Sequence, residues 1–396
     1  MRNRYSSAKQ ELGQFLTPAP IANLLASLLP PGGESILELG AGAGALLEAV
    51  SSRMPHLDVT AVEKDVALKR ELRARGLASL LIGGDATSPK TIRRLAERAP
   101  FDYIVGNPPY AMGVSRKASI KLLEQYGLYN AQRGVRLDTY FLAQSISMMA
   151  TTGAGAFILP MPLFSDGSYA TFRQALLQRF SNITIVELPI DTFGNAEVST
   201  AICSFSGLEG RRKRVKVARA NSQGQIEDSI EIAMRQAVER MDFSFHKERL
   251  HLDALIGDAT HNLRGLGAQV VRGSATSSEL KEIGIQYLHT SDLPTSGIGE
   301  LVYNRSAENR YQNAGEGDIV VPRVGTRCLF RQAVVLKGEV PFTESVFRIR
   351  VDPKVRDAVL NSLAGPIGQS WRRLHARGAC AKHITATDLF DLPISI

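Results

Sequence analysis

The sequence predicts an α/β fold, an open and mostly parallel sheet in the first part of the chain followed by a smaller mixed α/β domain. Three observations carry this. Short apolar runs alternate with helical patterns up to about residue 240, as expected of strands buried on both faces and joined by crossover helices. Four of those runs end on groups suited to a ligand, and an open α/β sheet binds its ligands at the carboxyl ends of its strands. Beyond residue 240 the strands become short and punctuated by turns, which places the domains at 1–240 and 241–396.

The elements follow in chain order. Gly13-Gln14-Phe15-Leu16-Thr17-Pro18 leads into an apolar helix from Ile21 to Leu29. Ser35 to Leu39 reads as a strand running into Gly40-Ala41-Gly42-Ala43-Gly44, with a helical pattern from Ala45 to Val50. The glycines let a ligand approach the backbone closely. Their spacing departs from the dinucleotide fingerprint, and Glu38 precedes the loop, so a cationic amino-acid headgroup suits it better than a pyrophosphate. The strand Asp58 to Val62 ends at Glu63, roughly 20 residues beyond the glycines, where an acid can accept both hydroxyls of a ribose. Ser79 to Gly84 ends at Asp85, whose carboxylate can accept from an adenine amino group.

The fourth run, Phe101 to Gly106, ends at Asn107-Pro108-Pro109-Tyr110. The prolines force an open turn. An exocyclic amine such as adenine N6 is a poor nucleophile because its lone pair is delocalised into the ring. If the Asn107 side-chain carbonyl and the Pro108 backbone carbonyl each accept one N–H, that lone pair becomes available, and Tyr110 offers a ring on which the base stacks.

Together these residues resemble the S-adenosylmethionine-dependent amino-methyltransferases. Gly13 to Pro18 ahead of the glycine loop narrows the likeness to adenine-N6 DNA methyltransferases of the gamma arrangement, the TaqI-like and PstI-like modification enzymes. The resemblance implies a Rossmann-like methyltransferase domain with S-adenosyl-L-methionine as cofactor. Thr17 and Pro18 would border its methionine end, and Glu38 would hold its amino group beside Gly40, Gly42 and Gly44. Glu63 would take its ribose and Asp85 its adenine. Asn107, Pro108, Pro109 and Tyr110 would hold the target adenine, with Asn107 also facing the cofactor. Ala86 departs from the family pattern, which often has a bulky residue after the acid.

Further along, Leu137 to Leu142 opens a helix, and Ala154 to Pro160, Ile183 to Leu188 and Ser199 to Ser206 read as strands. Tyr140 and Phe141 read as core. Phe193 is either a core plug or, as the family resemblance implies, an aromatic packed against the flipped base. The basic run Arg211-Arg212-Lys213-Arg214 with Lys216 and Arg219 is placed just after the last strand of the sheet, and Glu227 to Met241 reads as a helix leading out of the domain.

The last third resembles the target-recognition domains of type I restriction specificity subunits. Gly317-Asp318-Ile319 before an arginine-bearing segment, and Lys382-His383-Ile384 leading to Asp388-Leu389 and Pro393, carry that likeness. Arg323 is the lead candidate for DNA contact, with Arg327, Arg331 and His289 beside it; His383 is either a contact or a packed core residue. Trp371, in a helical stretch over 353–374, is expected to anchor that helix.

Composition bounds the rest. The chain of 396 residues is 44% hydrophobic and carries a formal charge of +8, which suits a polyanionic partner. No apolar stretch is long enough to cross a bilayer and the amino terminus lacks a signal-peptide core, so a cytoplasmic location is expected. Cys203, Cys328 and Cys380 and the seven histidines show no metal spacing, and no metal is expected. Nothing resembles a P-D-(D/E)-x-K nuclease core. The resulting expectation is a site-specific adenine-N6 DNA methyltransferase of a restriction system that flips its target base. Its partners would be double-stranded DNA and, as a candidate, a separate cognate restriction endonuclease. Two alternatives stay open: methylation of RNA or of a protein glutamine, and a catalytically inactive sequence-specific DNA-binding protein.

Overall fold

The computed structural model describes residues 16–113, 115–131, 134–193, 199–207, 214–257, 261–304, 310–377 and 382–396. The chain divides into two units, residues 1–246 and 247–396. Gly13, Gln14 and Phe15, the segment Arg211 to Lys213, and Cys380 lie outside the described residues.

The first unit is built on nine strands: β1 (Ser35–Leu39), β2 (Asp58–Glu63), β3 (Leu80–Gly83), β4 (Phe101–Gly106), β5 (Met149–Pro160), β6 (Asn182–Glu187), β7 (Thr200–Ser206), β8 (Arg214–Ala220) and β9 (Ile226–Ile232). They form one sheet in the order β3-β2-β1-β4-β5-β7-β6-β8-β9. Pairing is parallel from β3 through β5 and between β6 and β8, whereas β7 and β9 run antiparallel to their neighbours. This is the open, mostly parallel sheet that the apolar runs predict, of the Rossmann-like kind that the family resemblance implies. Both faces are covered: Leu37, Leu39 and Ile104 pack into one core and Ile36, Tyr103 and Val105 into the other, which is why the strands read as continuous apolar segments. Asp102 fixes the entry to β1, accepting from the Glu34 and Ser35 amides at 2.9 and 3.1 Å. On the β5-to-β6 crossover the fully buried Arg173 donates to the carbonyls of Leu163, Asp166, Val238 and Glu239 at 2.7–3.1 Å.

In this unit the structure corrects two expectations. Residues 226–232 are strand β9, not the start of a helix; helix occurs only at Met234–Glu239 and again at Phe243–Ile256. The cause is the turn before it. Gly224 takes φ +70°, Asn221 Oδ1 accepts from the Gln223 and Gln225 amides, and the reversal lays 226–232 along β8. The basic run therefore does not follow the sheet: Arg214 opens β8, and Lys216 and Arg219 lie within it.

The second unit holds β10 (His261–Asn262), β11 (Gln269–Arg272), β12 (Gly299–Val302), β13 (Asn313–Ala314), β14 (Ile319–Pro322), β15 (Ala333–Lys337), β16 (Val340–Pro341), β17 (Val346–Arg350) and β18 (Pro393–Ile394). Five make a sheet, β11-β17-β14-β15-β12, and the others pair as two ribbons, β10 with β18 and β13 with β16. Helices Arg356–Ala364 and Pro366–His375 supply part of one core; the single helix expected over 353–374 is broken where Pro366 cannot donate its amide. Trp371 anchors the second of these helices as expected, its indole donating to the Asp388 carbonyl at 2.6 Å. Arg372 is fully buried and donates to the Leu329 and Leu363 carbonyls and to Gln332; burial lowers its guanidinium to about 10. Asp318, also buried, accepts two bonds of 2.7 Å from Arg350 and one from the Gly315 amide.

Candidate active site

Glu38, Glu63, Asp85 and Asn107 stand at or just past the carboxyl ends of β1, β2, β3 and β4, four neighbouring lanes of the sheet. The chain reverses its direction of progress between β1 and β4, and that switch point is where the loops diverge to leave a crevice.

Gly40, Gly42 and Gly44 take φ of +74°, +58° and +84°, values that side-chain-bearing residues adopt only with strain. The Gly40 and Ala41 amides donate to the Val62 carbonyl at 2.8 and 2.9 Å. The Gly42 amide donates to Glu63 Oε2 and the Asp65 amide to Glu63 Oε1, both at 2.7 Å. Glu63 is therefore held rigid by backbone while keeping further lone pairs for a ligand. A Cβ at Gly42 would meet nothing within 4 Å, whereas at Gly40 it would come within 3.2 Å of the Phe141 ring. The loop thus faces open space at Gly42 and packed core behind Gly40.

Glu38 is 2% exposed, and its Oε2 has no hydrogen-bond partner among the described residues. Burial first, then the neighbouring Glu63 carboxylate, raise its carboxyl well above the ordinary range. A buried carboxyl with one unpaired oxygen beside an open glycine loop fits the ammonium of an amino-acid headgroup, the donor set S-adenosylmethionine presents. Asp85 is more exposed and already engaged: Thr87 donates its amide and hydroxyl to Oδ1 at 2.8 and 2.7 Å, and Lys64 approaches Oδ2 at 3.0 Å. Desolvation pushes its carboxyl up, but the Thr87 and Lys64 bonds outweigh it and hold it below its usual value. A base amino group would meet Asp85 in competition with Lys64.

At the end of β4, Asn107 Nδ2 donates to Thr17 Oγ1 at 3.0 Å. That bond orients the amide, turning Oδ1 towards the Tyr110 hydroxyl at 3.4 Å, a contact long enough to yield to a substrate N–H. The Tyr110 hydroxyl also donates to the Ile158 carbonyl of β5 at 3.3 Å. Desolvation, reinforced by the Asp138 carboxylate, pushes its phenol far up, so it stays a donor.

Sequence reasoning missed the support behind this turn. Ala111 to Gly113 pair antiparallel with Val135 to Leu137, through Gly113 N to Val135 O at 2.8 Å and Leu137 N to Ala111 O at 2.9 Å. Arg136 grips the buried Asp138 through Nε and Nη2 at 2.5–3.2 Å. The acid at the start of helix Leu137–Ser147 was visible in the sequence, but nothing there tied it to Tyr110. Tyr140 and Phe141 are buried core, as expected. Phe193 is half-buried and packs at the margin of the core containing Ile158 and Leu188, with residues 194–198 outside the described set. Arg323 belongs to the second unit, where its Nε donates to the Glu344 carbonyl at 2.7 Å.

Residues 70–193, from the helix after β2 to Phe193, match the family described as Eco57I restriction-modification methylase. The chain is 28% identical over 196 residues to the type II methyltransferase M.BsuBI of Bacillus subtilis, covering 44% of this chain and 38% of that one. It is 33% identical over 106 residues to ribosomal RNA small subunit methyltransferase A of Proteus mirabilis, covering 26% and 39% respectively. The chain therefore spans about two fifths of these curated relatives. Among solved structures, the type IIG restriction endonuclease BpuSI shares the fold with a TM-score of 0.57 at 12% identity, over 98% of this chain and 60% of that one. Among the described residues no helix is long and apolar enough to cross a membrane, and no cluster of three or more His, Cys, Asp or Glu could hold a metal ion.

Proposed function

We propose that the protein is a site-specific DNA methyltransferase that methylates adenine N6 with S-adenosylmethionine, in a restriction-modification setting. The observation that carries this reading is the Asn107 amide. Its nitrogen donates to Thr17, which turns the acceptor Oδ1 towards Tyr110 at the end of β4, and the neighbouring strands end on a glycine loop and two buried acids suited to the cofactor.

Glu38 would hold the cofactor's ammonium, Glu63 its ribose hydroxyls and Asp85 its adenine, with Gly40, Gly42 and Gly44 letting it lie close to the backbone and Thr17 and Pro18 bordering its methionine end. When bound, S-adenosylmethionine supplies an electrophilic methyl group. Asn107 Oδ1 and the Pro108 carbonyl each accept one N–H of the target amine and localise its lone pair. Tyr110, its hydroxyl tethered to Ile158, presents its ring to a base swung out of the duplex, with Phe193 as the candidate opposite wall. No base is needed before transfer, because the methylated ammonium is acidic and loses its proton afterwards. The second unit would choose the DNA sequence, since a pocket for one flipped base reads only that base.

The match of residues 70–193 and the likeness to M.BsuBI support DNA as substrate. The likeness to the ribosomal RNA enzyme favours a second reading, methylation of adenine in RNA. Incubating the purified protein with labelled cofactor and duplex DNA, ribosomal RNA or protein extract, then digesting to nucleosides, decides between them. Label in N6-methyladenine from duplex DNA is expected. Label confined to RNA, protein or a cytosine derivative would overturn the proposal.

A further inference from the structure

Four side chains of the second unit are candidate DNA contacts by sequence, and the structure separates them by what their donors already hold. Arg323 gives Nε to the Glu344 carbonyl at 2.7 Å and faces the Arg272–Glu344 ion pair. Arg331 gives Nη1 to the Leu293 and Thr290 carbonyls at 3.2 and 3.4 Å. His289 Nδ1 lies 2.8 Å from Thr343 Oγ1. Each of these bonds ties one nitrogen of the group to the protein, and swinging the side chain out to DNA would break it, a loss set against the new bond. Arg327 differs. It is exposed and makes no hydrogen bond or ion pair among the described residues, so all five of its donors remain available.

The turn that carries Arg327 is nevertheless fixed. The Gly325 amide donates to the Lys382 carbonyl at 2.8 Å, Val324 bridges His383 antiparallel, and the Ile384 amide returns to the Arg323 carbonyl at 3.0 Å. Inside the turn, Cys328 Sγ lies 3.4 Å from the Val324 carbonyl and the Arg331 amide donates to the Cys328 carbonyl at 2.9 Å. The lacing sets the half-buried Lys382, whose ammonium has no partner among the described residues, beside the turn. A free guanidinium on a turn whose backbone is fixed by these bonds loses little backbone entropy on binding, and in the major groove arginine takes guanine O6 and N7 as a fork.

We propose that this laced turn is a DNA-reading head, with Arg327 contacting a base edge in the major groove and Lys382 an adjacent phosphate, while Arg323 and Arg331 hold the turn from behind. The inference rests on the DNA-methylation reading above. Full-length protein is incubated with a randomised duplex library and S-adenosylmethionine, and the methylated motif is read by sequencing that detects the modified base. Cofactor affinity is measured in parallel. Arg327→Ala and Arg327→Lys should each lose about 5- to 150-fold of discrimination at one base pair, with cofactor affinity unchanged. Lys382→Ala should weaken binding to all sequences and reduce the salt slope by about one. Arg323→Ala should lower thermal stability and keep the motif. If the wild type methylates no DNA, the functional reading itself fails. If the wild type is active but Arg327→Ala keeps the full motif, or loses affinity for all sequences with its preference intact, the base-reading role of Arg327 is overturned; loss of the motif in Arg323→Ala alone overturns it equally.

Discussion

Thr17 and Asn107 are 90 positions apart in the chain and 3.0 Å apart in space. Asn107→Ala removes the acceptor for the target amine and should cut single-turnover methyl transfer by orders of magnitude, with cofactor affinity nearly intact. Thr17→Val keeps the acceptor but removes the Thr17 bond that orients the amide. It should slow transfer roughly tenfold, the worth of about one hydrogen bond, and Thr17→Ser should restore it. Equal rates for the valine and native proteins would remove the amide-locking role. Glu38 yields a different prediction, in pH. Its carboxyl is raised by burial, so without ligand it contributes stability that is fully present below its unfolded-state value and lost as pH rises through the folded one. Glu38→Gln should therefore raise the melting temperature of the ligand-free protein at neutral pH and weaken S-adenosylmethionine binding. Binding to the native protein should release protons, seen calorimetrically as a dependence on buffer ionisation enthalpy; the variant should show none. The strand-end acids and Asn107 were legible in sequence because each follows directly on an apolar run. The Thr17–Asn107 bond was not, since a single long-range hydrogen bond leaves no periodic trace.

Elements were legible to the degree that burial dictated them. Strands β1, β2 and β4 to β7 lie inside the sheet, and their apolar runs announced them to within a few residues, though β5 begins earlier, at Met149; β3, at one edge, was announced by its apolar run as well. The edge of the sheet was harder. Ile226, Ile230 and Ile232 are spaced among acids and a serine, a composition equally at home in a solvated helix. What makes it a strand is its pairing with β8, and a partner is invisible in local propensity. Conversely, Gly317-Asp318-Ile319 stood out in the sequence, and the structure gives the reason: Gly317 takes φ +82° so that Asp318 can turn inward to meet Arg350.

For the molecule as a whole, every group assigned to methyl transfer lies before residue 194, and the candidate DNA-reading turn lies beyond residue 320. A chain ending after His246, the last residue of the first unit, should bind S-adenosylmethionine as the full protein does and lose its preference among DNA sequences. Titration with duplexes carrying and lacking the methylated motif, at several salt concentrations, measures this. Retained preference in the fragment would move sequence choice into the first unit. The change of texture near residue 240 was visible in sequence because the second unit's sheet has short strands joined by glycine-rich turns. Its sheet order was not, because β14 and β15 alone are neighbours both along the chain and in that sheet.

The position of β7 also governs how the chain leaves the ribosome. β5 is complete at Pro160 and β6 at Glu187, yet the lane between them is filled only when Thr200 to Ser206 arrive. Until then a nascent chain carries an exposed, apolar strand margin on β5 with its intended neighbour not yet translated, a template for foreign strands. A chain halted before Thr200 should therefore aggregate more readily than one released after Ser206.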